Sequence, residues 1–141
     1  SYTILRCGSD TSSNWSKNPA DTNITYPAPF RVTSYAINGL MSPEISTATA
    51  ISLASLAKPS SVIYFAESSR NFTENYYHSH VWPTRHWLAA SNTPDDIVTT
   101  AHGLGFNTSY LDGHAKHVRW SQVWWQDSAS GVEKGSFDPR Q

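Results

Sequence analysis

The chain has 141 residues, 38% hydrophobic and 13% aromatic, which is enough apolar material to fill the core of one domain spanning 1–141. Only 15% of residues are charged and the formal net charge is -1, so no field exists to steer the chain onto nucleic acid or anionic lipid, and the aromatic content argues against intrinsic disorder. The lone Cys7 excludes a fold stapled by internal disulfides, and no stretch approaches the ~20 apolar residues of a membrane span.

In chain order, Tyr2-Thr3-Ile4-Leu5 reads as a strand, and because the chain opens inside it at Ser1 without a Met, an upstream segment is expected to have been removed. Nothing in Leu5-Arg6-Cys7-Gly8-Ser9-Asp10 forms a nucleophile signature, so Cys7 is expected to be buried or engaged with another chain. Residues 8–30 are loop chemistry, rich in Ser, Asn and Asp and punctuated by Pro19, Pro27 and Pro29, with Trp15 and Tyr26 as anchors. Residues 31–40 predict a short strand closed by a tight turn at Asn38-Gly39, and a short helix is expected within Thr47 to Ala57. Ser61-Val62-Ile63-Tyr64-Phe65-Ala66 is the most hydrophobic run and predicts a buried central strand, with Glu67 at its end. Tyr76 to Trp82 reads as a further strand with Tyr76, His78, His80 and Trp82 on one face, followed by loop at Pro83, Pro94 and Asp95-Asp96. The clearest local signal is Phe106 to Leu111, Asp112-Gly113, then His114 to Trp120: a β-hairpin whose Asp-Gly pair suits a two-residue type I′ turn.

At this point the chain resembles a family. His102, nine residues, then Asp112-Gly113 is similar to the signature of prepilin-type processing-associated His-X9-Asp-Gly proteins, and the fuller pattern is matched by His102, Gly103, Gly105, Asn107, Tyr110, Asp112, Gly113 and His114. Other landmarks follow in family order: Cys7-Gly8-Ser9-Asp10 for Cys-Pro-Ser-Asp, Ser34-Tyr35-Ala36-Ile37-Asn38-Gly39, and Lys58-Pro59-Ser60 before the buried strand. Gly8 replaces the usual Pro, and Glu67 stands where the family often has Asp. The resemblance implies a globular head like those of type IV pilins and type II secretion pseudopilins, carrying a small antiparallel sheet and normally preceded by a cleaved, methylated hydrophobic helix that is missing here. The implied fold class is α+β or mainly β, with a C-terminal β-hairpin and long loops. The implied role is a non-catalytic structural or assembly subunit, extracytoplasmic, attached to a membrane through that missing helix or a partner, with other protein subunits as partners and no cofactor. The family motif residues His102, Asn107, Asp112, Gly113 and His114 are then structural.

The chemistry has competing readings. Six His residues invite a metal, and His78 and His80 two apart on a strand would point the same way, but structural His at loop ends is the simpler account; His114 and His117 would face opposite sides. Asp112 reads as a turn residue before it reads as a calcium ligand, with Asp95, Asp96 and Asp127 the other carboxylates, because no Asp-x-Asp-x-Asp ladder supplies the six to eight oxygens calcium takes. Trp82, Trp87, Trp120, Trp124 and Trp125 either fill the core or present a surface; Trp120, Trp124 and Trp125 are the candidate interface, and the alternative function is a binding module for a small ligand or carbohydrate through exposed aromatics. The Asn-x-Ser/Thr triplets at Asn14, Asn23, Asn71 and Asn107 signify polar loops, and the absence of phosphate-loop, Gly-x-Ser-x-Gly and His-Glu-x-x-His motifs makes catalysis the minor hypothesis.

Overall fold

The computed structural model describes residues 6–13, 15, 33–41, 53–126, 128–131 and 133–139. The predicted strand at Tyr2–Leu5, the anchor Tyr26, Asn14, Asn23, Asp127 and the first part of the predicted helix lie outside them. Among the described residues short strands dominate: β1 (Tyr35–Asn38), β2 (Ile63–Glu67), β3 (Tyr76–Tyr77), β4 (Trp87–Leu88), β5 (Thr93–Pro94), β6 (Phe106–Tyr110), β7 (Ala115–Val118), β8 (Trp124–Gln126) and β9 (Glu133–Gly135), with one α-helical turn, α1 (Trp120–Val123), and short 3-10 turns. The fold is therefore mainly β. At Leu53–Ser55, within the stretch expected to be helical, the chain makes a 3-10 turn.

Five strands form one sheet in the order β3-β1-β2-β6-β7, and two-stranded sheets pair β4 with β5 and β8 with β9. The large sheet is antiparallel except that β3 runs parallel to β1, so it is mixed rather than the antiparallel sheet expected. The hydrophobic run behaves as its composition predicts and supplies the central strand β2, with Ile63 and Ala66 fully buried. Its other face is less covered than a continuous apolar run implies, since Phe65 is 37% exposed. Alternation along β1 and β6 sends Ala36, Asn38, Phe106, Thr108 and Tyr110 into the core, where they meet Tyr77, Trp82, Ile97, Val118, Val123 and Phe137.

The first strand ends, as expected, in a tight turn at Asn38-Gly39, where Gly39 opens a 3-10 turn, and Asn38 is wholly buried. Its Nδ2 donates to the carbonyls of Ile63 (3.0 Å) and Phe137 (2.7 Å), while Oδ1 accepts from the Leu40 N–H (3.0 Å) and the Ser79 hydroxyl (2.7 Å). The strand predicted over Tyr76 to Trp82 stops at Tyr77, because the Asp96 carboxylate takes the His78 backbone N–H at 2.6 Å and the chain turns.

The β6–β7 hairpin is present as predicted, but with Phe106 opposite Val118 and Ser109 opposite Ala115 its register is one residue away from the one a two-residue Asp112-Gly113 turn would set, so the turn differs. Asp112 is not among the residues with positive φ, whereas Gly113 has φ +92°. The Gly113 N–H donates to the Tyr110 carbonyl and the Tyr110 N–H to the His114 carbonyl, both at 2.9 Å, so the loop is the three residues Leu111-Asp112-Gly113, a turn followed by a left-handed glycine. Gly113 remains essential to it. Gly113→Val is expected to lower stability by about 1 kcal/mol or more, because a β-branched residue resists positive φ; an unchanged melting temperature would contradict this.

Candidate functional site

The sheet positions a cluster at the end of β2. Glu67, the strand's last residue, is 3% exposed, and its Oε2 accepts the backbone N–H of Asn107 in β6 at 2.9 Å. Its Oε1 accepts the proton of His102 Nε2 at 2.7 Å. His102 is held by its own turn: its N–H donates to the Gly105 carbonyl (3.0 Å) across Gly103 at φ +77°, and His117 Nε2 donates to its carbonyl (3.2 Å). These contacts assign a conformational role to the glycines of His102-Gly103-Leu104-Gly105.

The third member comes from the other end of the chain. Cys7 Sγ lies 3.4 Å from the same His102 Nε2, and Ser9 Oγ lies 3.4 Å from Nδ1. The segment that carries them is fixed in turn. The Cys7 N–H donates to Ser34 Oγ (2.8 Å), the Ser34 hydroxyl to Asp10 Oδ2 (2.7 Å), and the Ser12 N–H to Asp10 Oδ1 (2.9 Å). The Ser12 hydroxyl donates to the Arg70 carbonyl. A cavity of about 30 Å³, room for one water or one ion, is lined by Cys7, Asp10, Ser34, Glu67 and Arg70. Burial pushes the Cys7 thiol up, and the Glu67 carboxylate adds to the shift; the Tyr35 hydroxyl is raised by burial and by the same two neighbours.

For Cys7 this is not the geometry of a nucleophile relay. There a base uses one ring nitrogen for the nucleophile and the other for the carboxylate that orients it. Here thiol and carboxylate both face Nε2, so protonating that nitrogen for Glu67 removes the lone pair that would activate Cys7. Donor atoms that converge on one point are instead what ligation requires, and Cys7, Glu67 and His102 each offer an atom within 4.8 Å of the others.

A second group, His78, His86 and Asp96, meets the same distance criterion. Asp96 is fully buried; its Oδ2 lies 3.2 Å from His78 Nδ1, and among the described residues its Oδ1 has no hydrogen-bond partner. The His78 and His86 rings stack in parallel, 3.9 Å between centroids and 8° apart. Burial pushes the nearby His80 imidazole down, against the pull of Asp96.

Of the residues singled out from sequence, His102 and Asn107 belong to the first cluster, while Asp112, Gly113 and His114 sit at the opposite end of β6, at the hairpin tip. There Asp112 Oδ1 accepts from the His114 N–H and pairs with its imidazole, and this holds the carboxyl below its usual range. Among the described residues no potential ligand group contains Asp112, and Asp95 pairs with His86 (3.3 Å) at 45% side-chain exposure. Trp120 and Trp124 stack on each other (5.6 Å, 14°) and, with Trp87, surround the buried Trp82, whereas Trp125 is 45% exposed. Sequence reasoning missed the partnership of Glu67 and Cys7 with His102; the sign available was that all three lie at landmarks of one resemblance. His86 carried no sign. Comparison with models of protein families, with curated proteins and with solved structures finds no match.

Proposed function

We propose that this chain is the globular head of a non-catalytic, extracytoplasmic subunit in a pilus-like or type II secretion-like assembly, similar to the His-X9-Asp-Gly proteins. The observation that carries the reading is the convergence of its landmark residues. Cys7, Ser9, Asp10, Ser34, Glu67, His102 and Asn107 come from five places in the sequence and join in one network that fastens the segment around Cys7 to the sheet. A set of residues spent on holding a segment in place supports an architectural motif, and the shared use of His102 Nε2 weighs against a thiol enzyme. Among the described residues no helix is long and apolar enough to cross a membrane.

Among the described residues Trp125, 45% exposed, is an aromatic available for a contact with another subunit. Trp125→Ala is expected to leave circular dichroism and melting unchanged and to weaken self-association or capture of a partner subunit in light scattering. Trp124→Ala is expected to destabilise the fold by about 2 kcal/mol, since Trp124 packs against Trp82 and Trp120. Wild-type association by the Trp125 variant would remove this face from the assembly.

A second reading has its own observation. The outer face of the sheet holds an apolar hollow of about 380 Å³ lined by Thr33, Tyr35, Phe65, Asn107, Ser109 and Ala115, within the ~300–1,000 Å³ of small-ligand sites. A binding module using it would remain a discrete particle in native mass measurements, whereas an assembly subunit would be found with copies of itself or other chains.

A further inference from the structure

We infer that Cys7, Glu67 and His102 form a binding site for a single transition-metal ion, with zinc(II) the fitting species. The inference stands on geometry and does not depend on the assembly role. A tetrahedral zinc with bonds of ~2.05 Å to imidazole nitrogen and ~2.3 Å to thiolate sulfur holds those atoms ~3.5 Å apart. Cys7 Sγ and His102 Nε2 are separated by 3.4 Å. The His102 and Glu67 donors, at 2.7 Å, make a hydrogen bond across the place an ion would take, and exchanging proton for ion opens that pair by only ~0.7 Å.

Orientation of the outer atoms agrees. Metal-bound imidazoles and carboxylates generally have their remaining polar atoms tied down. Glu67 Oε2 is held by the Asn107 N–H and His102 Nδ1 faces Ser9 Oγ, which leaves Oε1 and Nε2 for the ion. Asp10 is already engaged by Ser34 and Ser12, so three ligands come from the described residues, and the 30 Å³ cavity beside Cys7 and Glu67 has room for a water as the fourth. The donor set of one thiolate, one imidazole and one carboxylate selects zinc or its spectroscopic substitute cobalt(II) over calcium or magnesium, which take oxygen ligands. The rival group at His78 and His86 is a poorer fit despite the unpartnered Asp96 oxygen. Imidazole lone pairs lie in the ring plane, and two rings stacked 3.9 Å apart at 8° do not aim at a common point.

The test uses the full chain stripped of metal with a chelator. Titration calorimetry with zinc chloride is expected to show one equivalent bound, and the cobalt(II) form is expected to show a thiolate-to-cobalt charge-transfer band in the near ultraviolet. Cys7→Ser should abolish that band and weaken zinc binding at least ~10-fold, as should His102→Ala, while His86→Ala should change neither. In the unmutated protein, zinc should protect Cys7 from iodoacetamide, a readout that needs no variant to fold. The proposal is overturned if the wild type binds no zinc, if cobalt binds without the charge-transfer band, or if His86→Ala and not Cys7→Ser abolishes binding. None of these results bears on whether the chain assembles, which light scattering reads separately.

Discussion

Asn38→Asp is expected to cost about 3 kcal/mol or more, a large share of the ~5–15 kcal/mol that holds a domain of this size together. The exchange is nearly isosteric, so packing is preserved and the effect is electrostatic. The Asn38 amide nitrogen faces the Ile63 and Phe137 carbonyl oxygens at 3.0 and 2.7 Å in a site with no solvent exposure. A carboxylate oxygen in its place would confront two acceptors in a site closed to solvent. Two carbonyls would lose their donor at the same time. Urea denaturation measures the outcome: the midpoint should fall steeply or the cooperative transition disappear, and a wild-type midpoint would show that the hub is dispensable.

Gly105→Ala is the other substitution with a large expected effect, about 2 kcal/mol or more. A Cβ at this position would sit 2.4 Å from the Val118 carbonyl oxygen and 2.6 and 2.8 Å from atoms of the His117 ring. The ring can swing aside, but the carbonyl belongs to β7, so the turn that carries His102 must move instead. Gly103→Ala is the internal control: its Cβ would meet open space and only its positive φ resists, at a cost of about 1 kcal/mol. Thermal melts should therefore rank wild type above Gly103→Ala above Gly105→Ala. Equal melting temperatures for the two variants would remove the close-approach argument.

These two residues also show which parts of the molecule were legible in the sequence. The central strand and the β6–β7 hairpin could be read because their signals are local: an apolar run, and β-prone residues on either side of Asp-Gly. The turn at Asn38-Gly39 was legible in the same way, but the partners distant in sequence that make Asn38 a buried crosslink were not. The strand predicted through His78 fails because the carboxylate that caps its N–H arrives from Asp96, also distant in sequence. At the candidate site, His102 and Asn107 were found through motif spacing, but spacing says nothing of what a side chain touches. That Cys7 meets His102 follows only from the sheet order, which brings Glu67 and Asn107 side by side and leaves the Cys7 segment to close over them.

The strand order has a consequence for how the chain reaches this structure. Within the five-stranded sheet, β6 and β7 are the only neighbours joined by a short loop; β1 must find β2, β3 must find β1, and β2 must find β6 across long intervening segments. Each long closure sacrifices chain entropy before its contacts form, whereas the hairpin can form within microseconds on its own. The hairpin is thus the natural early template, and β2 reaches it by docking onto β6. Because Glu67 and Asn107 lie at that same junction, the carboxylate of the candidate site is positioned when β2 meets β6, whereas Cys7 is brought to it by a separate closure.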